Sequence, residues 1–339
     1  MTALLEVHDL NVEIPLSSGR LHAVRGVSLS ASAGQAVGLV GESGSGKSLT
    51  LRAVMDLLPV PATITGGTIV VNGVDVSRMS AKQRREHLSS AMAMIFQDSL
   101  TALNPTMRVG DQVAEVPVRR LGMSRSSARA RATELLDQVG IKDPERRYRA
   151  YPHELSGGMR QRICIAIALS AEPGLILADE PTTALDVTIQ AQVLGVLARL
   201  RRDQGVGLVL VTHDLAVISG TCEHLNVMYG GRIVEDGPTG ELIHAPRHPY
   251  TAALLRSVPD PDLPVHRLLS IAGAPPDLLE AIPGCAFAPR CPAVIDRCTT
   301  EQPPLAPIGR MRASACWRAH DHEHWPPDIA EPAAGEMRA

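Results

Sequence analysis

Three short apolar runs punctuate the chain: AVGLV at 36–40, LILA at 175–178 and LVLVT at 208–212. None alternates with polar residues, and helical-looking stretches separate them. That pattern predicts parallel strands buried on both faces in an α/β layer fold. From Ser99 to Ser156 the texture changes. RRLGMSRSSARARATELLDQVG carries Ala, Arg and Leu in helical proportion with no strand-like run, which predicts a helical insert between core elements. Beyond Leu255, Pro259, Pro261, Pro264, Pro275, Pro276 and Pro283 interrupt any long periodic element, so a smaller loop-rich unit is expected there. The expected organisation is a first domain over 1–255 with a helical part at 99–160, a second over 256–325, and a disordered Pro/Ala/Glu-rich tail over 326–339. No internal repeat is visible.

Composition narrows the class without naming a chemistry. The 339 residues are 45% hydrophobic and 20% charged, with a formal charge of -3. These values are ordinary for a globular chain of two domains and give no bulk positive charge for nucleic acid. The N-terminus, MTALLEVHDLNVEI, lacks the basic-then-apolar layout of a secretory signal, and no apolar run reaches the roughly 18 residues that span a bilayer. A cytosolic chain is expected. Thiols stay reduced there, so clustered cysteines read as metal ligands or catalytic groups before disulfides.

GESGSGKS at 41–48 fits G-x-x-x-x-G-K-[ST], and it follows one predicted strand and precedes the helical run KSLTLRAVMDLL. Gly41, Gly44 and Gly46 let the backbone curl so that N–H groups of the loop, including those around Ser43, Ser45 and Leu49, face phosphate oxygens. Lys47 would reach the β- and γ-phosphates, and the Ser48 hydroxyl would ligate Mg²⁺. A Gly/Ser-rich surface turn is the bland alternative. LILADE at 175–180 supplies an acid pair where a buried strand ends. Asp179 would hold Mg²⁺ through water, and Glu180 would orient or deprotonate the attacking water. The alternative for this pair is an acidic helix cap.

Between them LSGGMRQR, residues 155–162, precedes the apolar run ICIAIALS. With this signature, the phosphate loop and the acid pair in that order, and with Gln97 in MIFQDS, Asp186 in TALD and His213 in VTHD, the chain resembles the ATP-binding-cassette ATPases. The resemblance implies a P-loop NTPase fold, a RecA-like core plus a helical subdomain. It implies that Ser156, Gly157 and Gly158 bind the γ-phosphate of ATP held by an opposite subunit. It further gives Gln97 a contact with Mg²⁺ and water, His213 a hold on the γ-phosphate, and Asp186 a role across the dimer. One departure concerns adenine: the region LNVEIPLSSGRLHAV has no aromatic residue, which leaves Ile14 or His22 to cover the base.

FQDSLTALNP at 96–105 and HPYTAALLRSVP at 248–259 are similar to segments of ATPase subunits of bacterial oligopeptide and dipeptide importers, a branch that also includes nickel importers. That similarity implies a second, paralogous ATPase chain, two membrane permeases, an external binding protein and a place on the cytoplasmic face of the inner membrane. It also implies a C-terminal extension in which Cys285, Cys291, Cys298 and Cys316, spaced C-x5-C-x6-C-x17-C, hold a [4Fe-4S] cluster. Zinc and four metal-free thiols are the alternatives. Cys164 and Cys222 read as buried small hydrophobes. HDHEH at 320–324 reads as a solvated polar run. A soluble cassette acting on nucleic acid or ribosomes and a non-catalytic cassette are the competing classes. The first is disfavoured because the stretch between Lys47 and Asp179 has no room for a long coiled coil, the second because the catalytic residues are all present.

Overall fold

A computed structural model describes residues 3–183, 185–257, 271–321 and 325–326. Pro259, Pro261 and Pro264, residues 322–324 of the histidine run and the tail from 327 onward lie outside the described residues.

Two long strands open the chain, β1 (Ala3–Leu16) and β2 (Gly19–Ser32), followed by β3 (Ala36–Val40) and α1 (Lys47–Val54). β4 (Thr63–Val71) and β5 (Val74–Asp75) pair antiparallel. α2 (Ala81–Ala91) begins at a capping box, in which Ser80 and Gln83 take up each other's free N–H groups, and leads to β6 (Met92–Ile95). Helices then run without a strand among the described residues: α3 (Ser99–Ala102), α4 (Val109–Arg120), α5 (Arg125–Gln138), α6 (Pro144–Tyr148) and α7 (Gly157–Leu169). β7 (Leu175–Asp179), α8 (Val187–Gln204), β8 (Gly207–Val211) and α9 (Leu215–Thr221) restore the α/β alternation. After β9 (His224–Tyr229), β10 (Arg232–Pro238), α10 (Thr239–His244) and α11 (Pro249–Arg256) come α12 (Asp296–Thr300), β11 (Ala306–Gly309) and β12 (Arg312–Ser314).

These elements form two compact units, one from Met1–Leu5, Ala31–Gln35 and Val70–Val211, the other from Glu6–Ser30, Ala36–Ile69 and Thr212–Ala339. In the first, β6, β7 and β8 are parallel, with Ile95 opposite Ala178 and Asp179 opposite Val211. β7 and β8 are buried at every position, which is why their sequences are apolar runs but for Asp179 at the end of β7. The helical stretch has its own core of Val109, Val113, Ala128, Ala132, Leu135 and Leu136. Cys164 on α7 is buried, and that burial pushes its thiol up to about 12.

In the second unit β3 pairs parallel with β9, and β10, β12 and β11 continue antiparallel from it. The loop-rich stretch expected from sequence thus contains two short strands. Their pairing is pinned by an ion pair rather than by an apolar pattern. Arg312 Nη2 donates to Glu235 Oε1 at 2.8 Å, and the N–H groups of Arg247 and His248 donate to the same carboxylate at 2.7 and 3.0 Å. Burial pushes the Glu235 carboxyl above its ordinary range. No helix among the described residues is long and apolar enough to cross a membrane.

Candidate functional site

The loop between β3 and α1 belongs to the second unit and is shaped by glycine. At Gly41 (φ +155°) an added Cβ would sit 2.1 Å from the Met228 carbonyl, and at Gly46 (φ +102°) 2.5 Å from that of Ala23. Neither position admits a side chain, so the backbone can wrap closely. Lys47 is buried, and its ammonium donates to Gly41 O at 2.7 Å, Glu42 O at 2.9 Å and Ser45 Oγ at 3.3 Å. The cation is thereby held at the loop by polar atoms of the loop itself. Ser48 stands in the first turn of α1, and Ser43 and Gly44 are exposed at the loop's tip. In the same unit the Thr212 N–H donates to Leu39 O at 3.4 Å, and Asp214 caps α9 through Ala216 and Val217. Those contacts fix the exposed His213 between a strand end and a helix start.

Strand register builds the acidic part of the first unit. Because Ile95 lies opposite Ala178, the residues two positions on, Gln97 and Glu180, emerge side by side where β6 and β7 end. Gln97 Nε2 donates to Glu180 Oε2 at 2.8 Å, and Thr183 Oγ1 donates to the same oxygen at 2.8 Å. Glu180 has φ +46°, a left-handed conformation that is uncommon for a non-glycine residue and concentrates at functional sites. It caps no helix. The cap of α8 is Asp186, whose Oδ1 accepts the Ile189 N–H at 2.9 Å. Asp179, one residue earlier, is 1% exposed at the end of β7.

Ser156 is the N-cap of α7 and accepts the Met159 N–H at 3.4 Å, so Gly157 and Gly158 do open a helix. A Cβ on Gly158 would lie 2.4 Å from Ile189 Cγ2, so the missing side chain lets the start of α7 approach α8. Ile14 is half-buried, and His22 Nδ1 lies 3.3 Å from Glu13 Oε1.

A second candidate site lies in the second unit. Cys285, Cys291, Cys298 and Cys316 line one pocket, together with His248, Phe287 and Trp317. All four are free thiols. Burial pushes Cys291 up to about 11 and Cys316 up to about 12, and raises Cys285 as well. Main-chain N–H groups point the other way energetically: those of Phe287 and Ala288 face Cys285, that of Ala293 faces Cys291, and that of Arg318 faces Cys316 at 3.4 Å. Such donors favour thiolate. Among the described residues no group of three or more His, Cys, Asp and Glu has the geometry to hold a single metal ion.

Three residues of the second unit escaped the sequence reading. Arg290 Nη1 and Nη2 donate to the two carboxylate oxygens of Glu42, in the phosphate loop, at 2.7 and 3.0 Å. Tyr250 Oη accepts the Glu42 N–H at 2.8 Å. The segment HPY does carry a local signal for part of this: the His248 ring accepts the Tyr250 N–H at 3.0 Å, and Pro249 takes the first helical position, so α11 starts where Tyr250 is wholly buried.

Comparison with known proteins identifies the family. Residues 24–183 match the ABC transporter family, and residues 234–298 match the oligopeptide/dipeptide transporter C-terminal region. The dipeptide transport ATP-binding protein DppD of Escherichia coli (strain K12) is 45% identical, over 97% of this chain and 98% of that protein. DppD of Bacillus subtilis (strain 168) is 44% identical over 94% and 95%. Among solved structures, the ATP-binding cassette MJ0796, in a dimeric post-hydrolysis state bound to ADP and Pi, has a TM-score of 0.63 at 26% identity, covering 69% of this chain and 98% of that one. The chain belongs to the ABC transporter family, within its dipeptide and oligopeptide transport ATP-binding proteins.

Proposed function

We propose that this chain is the ATP-hydrolysing subunit of a peptide importer, peripheral to the cytoplasmic face of the membrane, working with a second and paralogous ATPase chain, two permeases and an external binding protein. The full-length similarity to dipeptide transport ATP-binding proteins supports the cargo class. The observation that carries the chemistry is the Glu180 carboxylate, held in a left-handed backbone position and hydrogen-bonded by Gln97 and Thr183.

In this reading the loop N–H groups of Gly41 and of Ser43 to Leu49, with the positive end of α1, bind the phosphates, and Lys47 moves its ammonium from the loop carbonyls to the β- and γ-phosphate oxygens. The donor set fits Mg²⁺: the Ser48 hydroxyl and the buried Asp179 carboxylate are hard oxygen ligands of the kind this ion takes. When bound, the ion neutralises charge on the phosphates. Gln97 would contact the ion and the attacking water, and Glu180 would accept the water's proton. His213 donates to the γ-phosphate and keeps the water in line. Ser156, Gly157 and Gly158 offer helix-start N–H groups to the γ-phosphate on the partner ATPase, and Asp186 senses that contact.

Cys285, Cys291, Cys298 and Cys316 hold a [4Fe-4S] cluster in the same reading. Four thiols around one pocket, with N–H groups directed at three of the sulfurs, fit the needs of thiolate ligands. Bound there, these four cysteines would tie Cys298 on α12 to the loop positions of Cys285, Cys291 and Cys316, a structural role. In the assembled transporter, Glu180→Gln should bind ATP and lose about 10²–10⁴-fold in turnover, together with peptide uptake. Unchanged turnover would refute the catalytic assignment, and purification from solubilised membranes without any permease would refute the transport role.

A further inference from the structure

Glu42 is an oddity in a loop that binds anions. Its carboxylate belongs to the second residue of the phosphate loop, where a free negative charge would oppose every phosphate that enters. The structure shows what offsets it. Arg290, between Cys285 and Cys291, is 4% exposed and takes the carboxylate with both terminal nitrogens, at 2.7 and 3.0 Å. Its remaining N–H groups are also accepted: Nη1 by Tyr229 Oη at 3.1 Å, Nη2 by Ile271 O at 2.9 Å and Nε by Ala272 O at 2.9 Å. A guanidinium with each nitrogen committed in a fixed fork has little freedom to leave.

Glu42 is in turn held along its length. Tyr250 Oη accepts its N–H at 2.8 Å, and its carbonyl accepts Lys47 Nζ at 2.9 Å. The Phe287 ring, from the same segment as Arg290, meets Tyr229 and Tyr250 edge-on at 5.3 and 5.5 Å, so the segment docks as a body against the groups that hold the loop.

From this geometry we infer that Arg290 is a positioning residue for ATP binding: it neutralises Glu42 and fixes the phosphate loop, so the thiol-bearing segment sets the loop's affinity for nucleotide. The inference rests on the ATPase reading. It assigns the C-terminal segment a part in nucleotide affinity that a purely structural staple would not have.

The test measures binding of a fluorescent ATP analogue with Mg²⁺ to the full-length chain, as wild type and as Lys47→Ala, Arg290→Gln, Glu42→Gln and Arg290→Gln/Glu42→Gln. Arg290→Gln leaves an unpaired carboxylate in the cradle and should weaken binding about tenfold at low salt, less at high salt. Glu42→Gln removes the charge and should bind within about twofold of wild type or tighter, and the double variant should regain most of the loss. A structural anchor predicts the reverse, with both single variants weakened and the double no better than Arg290→Gln; that result overturns the inference. So does wild-type affinity in Arg290→Gln. Should Arg290→Gln fail to fold, Glu42→Lys decides: tighter binding supports the charge argument and weaker binding overturns it. Loss of binding in Lys47→Ala with no change in the other variants would leave the ATPase reading standing and the inference alone refuted, whereas binding unaffected by Lys47→Ala would refute the reading itself.

Discussion

The phosphate loop offers its ligand main-chain N–H groups and one lysine; the thiol site offers four side chains from separated stretches of chain. In the loop, the shape comes from positions that reject a side chain, and Lys47 is already hydrogen-bonded by Gly41, Glu42 and Ser45. In the thiol site burial pushes Cys285, Cys291 and Cys316 toward the neutral form, while main-chain N–H groups facing their sulfurs favour the thiolate. The first is organised before its ligand arrives. In the proposed reading the second is completed by its ligand, because burying thiols is tolerable only while they are protonated or bound to metal. A backbone-built site should therefore fail through steric intrusion, and a side-chain-built site through loss of a single donor.

That contrast can be broken experimentally. Removal of one sulfur, Cys291→Ser, should abolish the brown absorbance and reduce about four iron and four sulfide per anaerobically purified chain to near zero. One zinc and no iron in the wild type would instead make the site a zinc staple. Gly41→Ala, whose Cβ meets the Met228 carbonyl, should cost about 10³-fold in nucleotide affinity while iron content is kept. Arg312→Met, which leaves the Glu235 carboxylate buried without its partner, should lower unfolding stability by about 3–5 kcal/mol and leave nucleotide affinity per folded chain unchanged. The smallest effect belongs to Cys164→Ala, expected to alter stability by about 1 kcal/mol or less and activity not at all. Its thiol, raised to about 12, should resist alkylation at neutral pH and react as pH climbs toward that value or as the chain unfolds.

How much of this could be read from residues alone follows the range of the contacts. GESGSGKS, LILADE and LSGGMRQR each specify a strand end or helix start within a few positions, so the loop, Asp179 with Glu180, and the opening of α7 were legible. The pairing of Gln97 with Glu180 was only half legible, because it depends on the register of β6 against β7. Arg290 with Glu42 was not legible at all. Their separation is 248 residues, neither belongs to a periodic element, and a lone arginine between two cysteines has no pattern that names its partner. β11 and β12 were missed for a related reason: three or four residues cannot show alternation, and their pairing relies on the buried Arg312.

The distance between Glu42 and Arg290 along the chain has a meaning in time as well as in space. A ribosome adding about 5–20 residues per second makes the phosphate loop roughly 12–50 s before it makes the arginine that neutralises it. Through that interval the emerging loop carries its own negative charge unopposed. A nascent chain, or one broken off before Arg290, is thus a poor trap for cellular ATP, and the finished subunit is the first form able to compete for it.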